Sequence, residues 1–282
     1  MSLEVLEYLS LPGDSAKANE DAFGHGGNAA VVIDGATPLG DSLMPGPSDA
    51  AWIAQFGARR LMAHLGDGDG ARKALRATLG DTQKSFEALR RHPPEEMWQM
   101  PCASMMLAAE IDGGGVELLW FGDCAALIKQ SDAPVTVVGE TFDKRAAEAK
   151  RARALAKEKN LSPAAGLSRA EFIGSLRTSR NRINSGNDWL FSPDVKAAAH
   201  VSRRVMKIKP GSEILLLTDG FLALASDYGA YSADSLMTAA ISKGLTPLGE
   251  ELRVIEAGDS GGDKFPRFKK SDDATAVLLR TG

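Results

Sequence analysis

Five short acidic islands stand where apolar runs begin or end, and they constrain this chain more than any other feature. They are Asn19-Glu20-Asp21, Asp34-Gly35, Gly122-Asp123, Asp219-Gly220 and Asp272-Asp273. The runs they punctuate are Ala30-Val31-Val32-Ile33, Leu118-Leu119-Trp120-Phe121, Ile214-Leu215-Leu216-Leu217 and Thr275-Ala276-Val277-Leu278-Leu279, which read as buried strands. One Asp-Gly pair after a strand is an ordinary turn signal. Five islands spread over the chain are harder to dismiss. Two carboxylates about 4 Å apart repel by roughly 4 kcal/mol at an effective dielectric near 20. Several at one rim raise each other's pKa or unfold it, unless cations stand among them.

Strand direction tells whether they can meet. Asp21 to Gly24 and Ala29 to Ile33 flank a glycine-rich turn suited to a hairpin, which places Asp21 and Asp34 at the same end of a sheet. Asp34, Asp123 and Asp219 follow strands, whereas Asp272 and Asp273 precede one. In antiparallel sheets a strand's end lies beside its neighbour's beginning, so all five islands can share one edge. All-oxygen ligands suit magnesium or manganese rather than a thiolate-held zinc.

Elsewhere, Ser48 caps a predicted helix reaching about Leu65, with Trp52, Ile53, Phe56 and Leu61 on its core side. Gly66-Asp67-Gly68-Asp69-Gly70 reads as a connector, and a second helix runs from about Ala71 to Arg91. Met105 to Ile111 and Val116 to Phe121 form a strand pair, followed by a strand from Ala125 to Ile128. Val205 to Ile208 and Glu213 to Leu217 are expected to form another pair, and a helix follows Phe221. Strands in hairpins and helices in pairs favour an α+β fold of antiparallel sheets covered by helices over a doubly wound parallel sheet.

The 282 residues, 44% hydrophobic with a formal charge of −4, can bury one large core, and nothing forces a split into two domains. No apolar run approaches the roughly 20 residues of a membrane span, and Met1-Ser2-Leu3-Glu4 lacks the order of a secretion signal. Cys102 and Cys124 form no C-x-x-C pair, so a reducing, cytoplasmic compartment is expected. Between 140 and 182, 11 Lys and Arg stand against 5 Asp and Glu, leaving −10 for the rest of the chain. Lys144 to Lys159 reads as a solvated helix. Arg177, Arg180 and Arg182 lie in a Ser/Asn/Gly-rich stretch not expected to be regular helix, where they could face an anionic substrate. His25, His64, His92 and His200 lack metal-ligand spacing, Trp52 and Phe56 read as core, and Cys124 is expected to pack beneath the acidic rim.

Taken in order, Asn19-Glu20-Asp21, Val32-Ile33-Asp34-Gly35, Phe121-Gly122-Asp123, Leu217-Thr218-Asp219-Gly220-Phe221 and Asp272-Asp273-Ala274-Thr275-Ala276-Val277 resemble the type 2C (PPM) metal-dependent serine/threonine protein phosphatases, bacterial members included, from about residue 14 to 280. The resemblance implies one domain: a four-layer sandwich of two antiparallel sheets flanked by helices, with a flap at about 140–200. It implies two Mn2+ or Mg2+ ions. Asp34 would bridge them, the carbonyl of Gly35 would bind one, and Asp219 and Asp272 would hold the other. Asp123 would help bind a looser third ion. Glu20 and Asp21 would support the centre, largely through bound waters, with Asp273 behind them. Asp34, Asp219 and Asp272 would thus be the catalytic set. A water shared by two divalent ions loses a proton near neutral pH, and the ions offset charge on the phosphoryl oxygens, so no side-chain nucleophile is needed. No C-x5-R or G-x-S-x-G motif is present.

Two departures stand out. Where the family often has a phosphate-gripping arginine, this chain has Ala16, with Lys17 beside it. Where eukaryotic members often carry a histidine after Asp-Gly, it has Ala36 and Thr37. Lys17, Arg177, Arg180 and Arg182 are the candidate replacements for the phosphate clamp, although lysine cannot make the bidentate fork. The expected function is hydrolysis of phosphoserine or phosphothreonine in a protein substrate, without nucleic-acid or membrane partners. The alternatives are a non-catalytic regulator that binds a protein through its flap and a phosphatase for small metabolites.

Overall fold

Val31 and Ile33 pack against Ile53, Leu61, Leu75 and Leu79, whereas the intervening Ala30 and Val32 pack against Met106, Leu216 and Val277. A strand buried on both faces reads as a continuous apolar run, and its period of two divides the side chains between two interfaces. The computed structural model describes residues 2–26, 28–131, 133–139, 169–262, 264–265, 267 and 269–282.

The strands are β1 (Leu3–Leu11), β2 (Asp21–Gly26), β3 (Ala29–Gly35), β4 (Ala103–Ile111), β5 (Gly115–Phe121), β6 (Ala125–Lys129), β7 (Thr136–Gly139), β8 (Ser202–Lys207), β9 (Glu213–Leu217) and β10 (Ala274–Thr281). They form two five-stranded sheets, ordered β1-β10-β9-β6-β7 and β2-β3-β4-β5-β8. Every pairing is antiparallel. The helices are α1 (Asp49–Gly66), α2 (Ala71–Leu89), α3 (Arg169–Arg180), α4 (Asp219–Ser226), α5 (Ala233–Lys243) and α6 (Leu245–Gly258). Helices α1 and α2 cover the outer face of the β2–β8 sheet, and α4, α5 and α6 cover the other. The layers are therefore helix, sheet, sheet, helix, as the resemblance implied.

Ser48 caps α1, accepting from the amides of Ala50 and Ala51. Several sequence expectations need correction. Before β2 runs a strand that the sequence reading did not identify, β1, at the sheet edge on β10 with a bulge between Val5 and Glu7. Its one-sided burial mixes Glu4, Glu7 and Ser10 with the apolar residues, which hid it. β7 was missed as well. The strands expected to pair after residue 200 lie in different sheets, β8 beside β5 and β9 between β10 and β6. The crossover at Pro210-Gly211 is held by Thr281, whose carbonyl accepts from Gly211 N at 2.6 Å and whose Oγ1 accepts from Ser212 N at 3.0 Å. Arg177 and Arg180 lie in regular helix α3. The Asn/Ser/Gly signal belongs to the turn beyond, where Asn184 and Gly186 take φ of 58° and 67°. Lys144 to Lys159 lies outside the described residues.

Candidate metal centre

The acidic islands converge on one edge of the sandwich. Asp21 opens β2 and sits opposite Asp34 near the end of β3, in the register expected from the hairpin. Asp123 occupies the turn where the chain leaves β5 for β6, Asp219 opens α4 after β9, and Asp272 and Asp273 precede β10. Asp34, Asp123 and Asp219 each offer a carboxylate oxygen, all within 4.8 Å of one another.

Fixed hydrogen bonds set this geometry. Thr218 Oγ1 donates to Asp21 Oδ2 at 2.7 Å and accepts from Thr275 N at 2.9 Å, joining β9 and β10 of one sheet to β2 of the other. Asn19 Oδ1 accepts from Asp21 N at 2.9 Å, and Ser104 Oγ donates to Asp123 Oδ1 at 2.5 Å. The Asp273 carboxylate accepts from Gly13 N and Glu20 N, both at 2.7 Å, clamping the segment that leads into β2. Glu20 in turn accepts from Thr37 Oγ1 and from Ser48 Oγ, the cap of α1. Glu20 and Asp273 thus fix backbone and loops around the cluster. Gly35 and Gly220 are required by close approach. A Cβ on Gly35 would meet the Ala50 carbonyl in α1, and one on Gly220 would meet the Asp273 carbonyl.

The electrostatics follow from the crowding. Burial, then the charges of Asp219, Asp21, Asp123 and Asp272, push the Asp34 carboxyl well above its usual range. Burial, then Asp219 and Asp272, does the same for Asp21 against the opposing bond from Thr218. Burial and Asp219 raise Asp272. Cys124 packs in the inter-sheet core beneath the rim, and burial with the nearby carboxylates raises its thiol. Asp21 Oδ1 is buried with no hydrogen-bond partner. A buried carboxylate oxygen left open in an all-oxygen cluster fits a hard divalent cation.

One cation at this edge was missed by sequence reasoning. Lys269 Nζ lies 2.6 Å from Asp272 Oδ1, and the carboxylates of Asp272, Asp34 and Glu20 outweigh its burial to hold the proton above the usual lysine range. Its signal was the Lys-Lys-Ser preceding Asp272-Asp273. Three of the four expected phosphate-binding cations have other partners, and of these Arg180 comes near the centre, at Thr37 two residues past Gly35. Lys17 is exposed and paired with Asp14 at 3.5 Å. Arg177 donates to the Leu39 carbonyl at 2.7 Å and stacks over Trp98, and Arg180 donates to the Thr37 carbonyl at 3.0 Å. Arg182 is exposed in the turn after α3. The histidines lie outside the centre: His64 pairs with Asp81, His200 stacks on Trp189, His25 on Phe23, and His92 contacts the Pro93 carbonyl.

This architecture is the fold of the PP2C (PPM) serine/threonine phosphatases. The chain is similar to the Mycobacterium tuberculosis serine/threonine phosphatase PstP/Ppp at 15% identity and a TM-score of 0.59, covering 100% of this chain and 99% of that one. It is similar to the catalytic domain of PstP in complex with two manganese ions, at 15% identity over 99% and 97% of the two chains, with a TM-score of 0.53. The Mycobacterium smegmatis PPM Ser-Thr phosphatase MsPP in complex with cacodylate gives 18% identity, 99% coverage of both chains and a TM-score of 0.54. No protein-family profile matches the chain, and no curated protein sequence does. No described helix is long and apolar enough to cross a membrane.

Proposed function

We propose that this chain is a metal-dependent phosphatase of the PP2C class, acting on phosphoserine or phosphothreonine in proteins. The observation that carries this reading is the acidic cluster itself: three carboxylate oxygens within 4.8 Å, beside a buried Asp21 oxygen with no partner. Burying several negative charges together at one edge costs stability, and a divalent ion offsets that cost. PstP bound to two manganese ions has the same fold, which supports Mn2+ or Mg2+ here.

In this reading Asp34, Gly35, Asp219 and Asp272 hold two ions, with Asp21 beside them and Asp123 at a looser third. Bound ions of this kind lower the pKa of water and offset charge on the phosphoryl oxygens. The chain's own part is positional. Asp273 and Glu20 lock the β2 entry and the Thr37 and Ser48 loops, which keeps Asp21 and Asp34 opposite one another. Asp219 at the first turn of α4 has its charge favoured by the helix dipole. A single domain with a flap at about 140–200, of which 140–168 lies outside the described residues, and a reducing cytoplasm belong to the same reading; Cys102 and Cys124 are buried free thiols.

Hydrolysis of p-nitrophenyl phosphate and of a phosphothreonine peptide, with and without Mn2+, tests the proposal in wild type and Asp34→Asn. The expected outcome is metal-dependent turnover that falls at least a hundredfold in the variant, as loss of a central charge-stabilising group does in other sites. A wild type inactive with both substrates across Mn2+ and Mg2+ would overturn it in favour of a partner-binding regulator.

A further inference from the structure

The loop before β10 is built around a buried ion pair. Asp259, just past α6, accepts from the amides of Lys264 and Phe265, both at 3.0 Å, and from Arg267 Nη1 at 2.8 Å. The Arg267 guanidinium also donates to the carbonyls of Glu256, Asp259 and Phe265, and through Nε to that of Lys270 at 2.9 Å. Both side chains of the pair are mostly buried, at 16% and 10% exposure. This network fixes the backbone next to Lys269. The Lys269 side chain, 38% exposed, reaches from that anchor to Asp272 at the acidic edge.

We propose that Lys269 contacts the phosphoryl group of the substrate. This rests on the phosphatase reading above. The Lys269 ammonium lies 2.6 Å from Asp272 Oδ1, so it stands at the rim of the centre and not on a remote surface. The oxygen it holds belongs to Asp272, a carboxylate that would hold a divalent ion, so Lys269 stands next to that position. A phosphate monoester brings compensating negative charge to that point. Lysine on a flexible four-carbon stem serves phosphate as a movable point charge, needing no fork geometry.

Lys269→Ala, Lys269→Gln and Lys269→Arg are to be compared with wild type in three measurements. These are hydrolysis of a phosphothreonine peptide with Mn2+, calorimetric titration of the Mn2+-loaded proteins with inorganic phosphate, and titration of the chelated proteins with Mn2+. In the alanine and glutamine variants, KM and the Kd for phosphate should both rise about tenfold, the scale of one charge-assisted hydrogen bond. The change in kcat should be small, Lys269→Arg should stay near wild type, and Mn2+ affinity should not weaken. Unchanged KM and phosphate Kd in both neutral variants overturn the proposal. So does a rise in KM matched by an equal loss of Mn2+ affinity, which makes Lys269 a residue that shapes the metal site. Phosphate titration needs no turnover. A wild type that hydrolyses nothing, yet loses phosphate when Lys269 is neutralised, would sink the phosphatase reading and support the contact.

Discussion

At the residue scale, the carboxyls of Asp21, Asp34 and Asp272 are all pushed upward by burial and by one another, and that sets a pH dependence. An acid whose folded pKa lies above its unfolded value of about 3.9 binds more protons folded than unfolded between those two values. Stability of the chelated protein therefore falls as pH rises through that window. Asp81 and Asp259, held low by their cationic and backbone partners, act oppositely, but their contribution is complete by about pH 5. Urea midpoints of chelated protein should be lower at pH 7.5 than at pH 5, and Asp34→Asn should flatten the difference. A midpoint that rises over this range would contradict the picture of an uncompensated cluster. The carboxylates that carry this effect could be read from the sequence. Thr218, whose hydroxyl ties Asp21 to β10, could not be given a role, because it acts on a residue 197 positions away; Lys269 is only three residues from Asp272 and was overlooked.

At the element scale, the site depends on α1 lying hard against the end of β3. Gly35 allows the contact: its missing Cβ leaves room for the Ala50 and Glu20 carbonyls, both of them backbone and unable to rotate away. Gly35→Ala should cost about 1–3 kcal/mol of stability, the scale of overpacking, and should weaken Mn2+ binding by displacing Asp34. Chemical denaturation and metal titration check both, and a variant with wild-type values in each would show that the helix yields freely. Helix α1 and its Ser48 cap, the β2–β3 hairpin and the β4–β5 pair were legible from capping chemistry, turn residues and periodicity. β1 was not, because an edge strand buried on one face carries a weak apolar signal. The end of α3 was misjudged because its breaker residues come after Arg180, not within it.

Across the whole molecule, the interface between the sheets holds the edge residues in register. Leu216 is fully buried there, among Val32, Met106, Ala126 and Val277. Leu216→Ala should cost about 2–5 kcal/mol, the range for buried leucines, while Val254→Ala, at 71% exposure, should stay within about 0.5 kcal/mol. Equal effects of the two, measured by urea unfolding, would mean the sandwich core is not where stability resides.

The sequence by itself determined which residues are acidic, where strands end, and that these ends could meet at one rim, since local pattern fixes strand direction and turns. Only the tertiary structure decided which sheet each strand joins. β8 and β9 are neighbours in sequence yet lie in different sheets, because pairing is settled by partners distant in the chain. The same holds for the cations. Lysine and arginine signals are alike in sequence, but long-range packing ties Arg177 and Arg180 to backbone carbonyls, while Lys269 reaches the acidic edge through Asp272, three residues on.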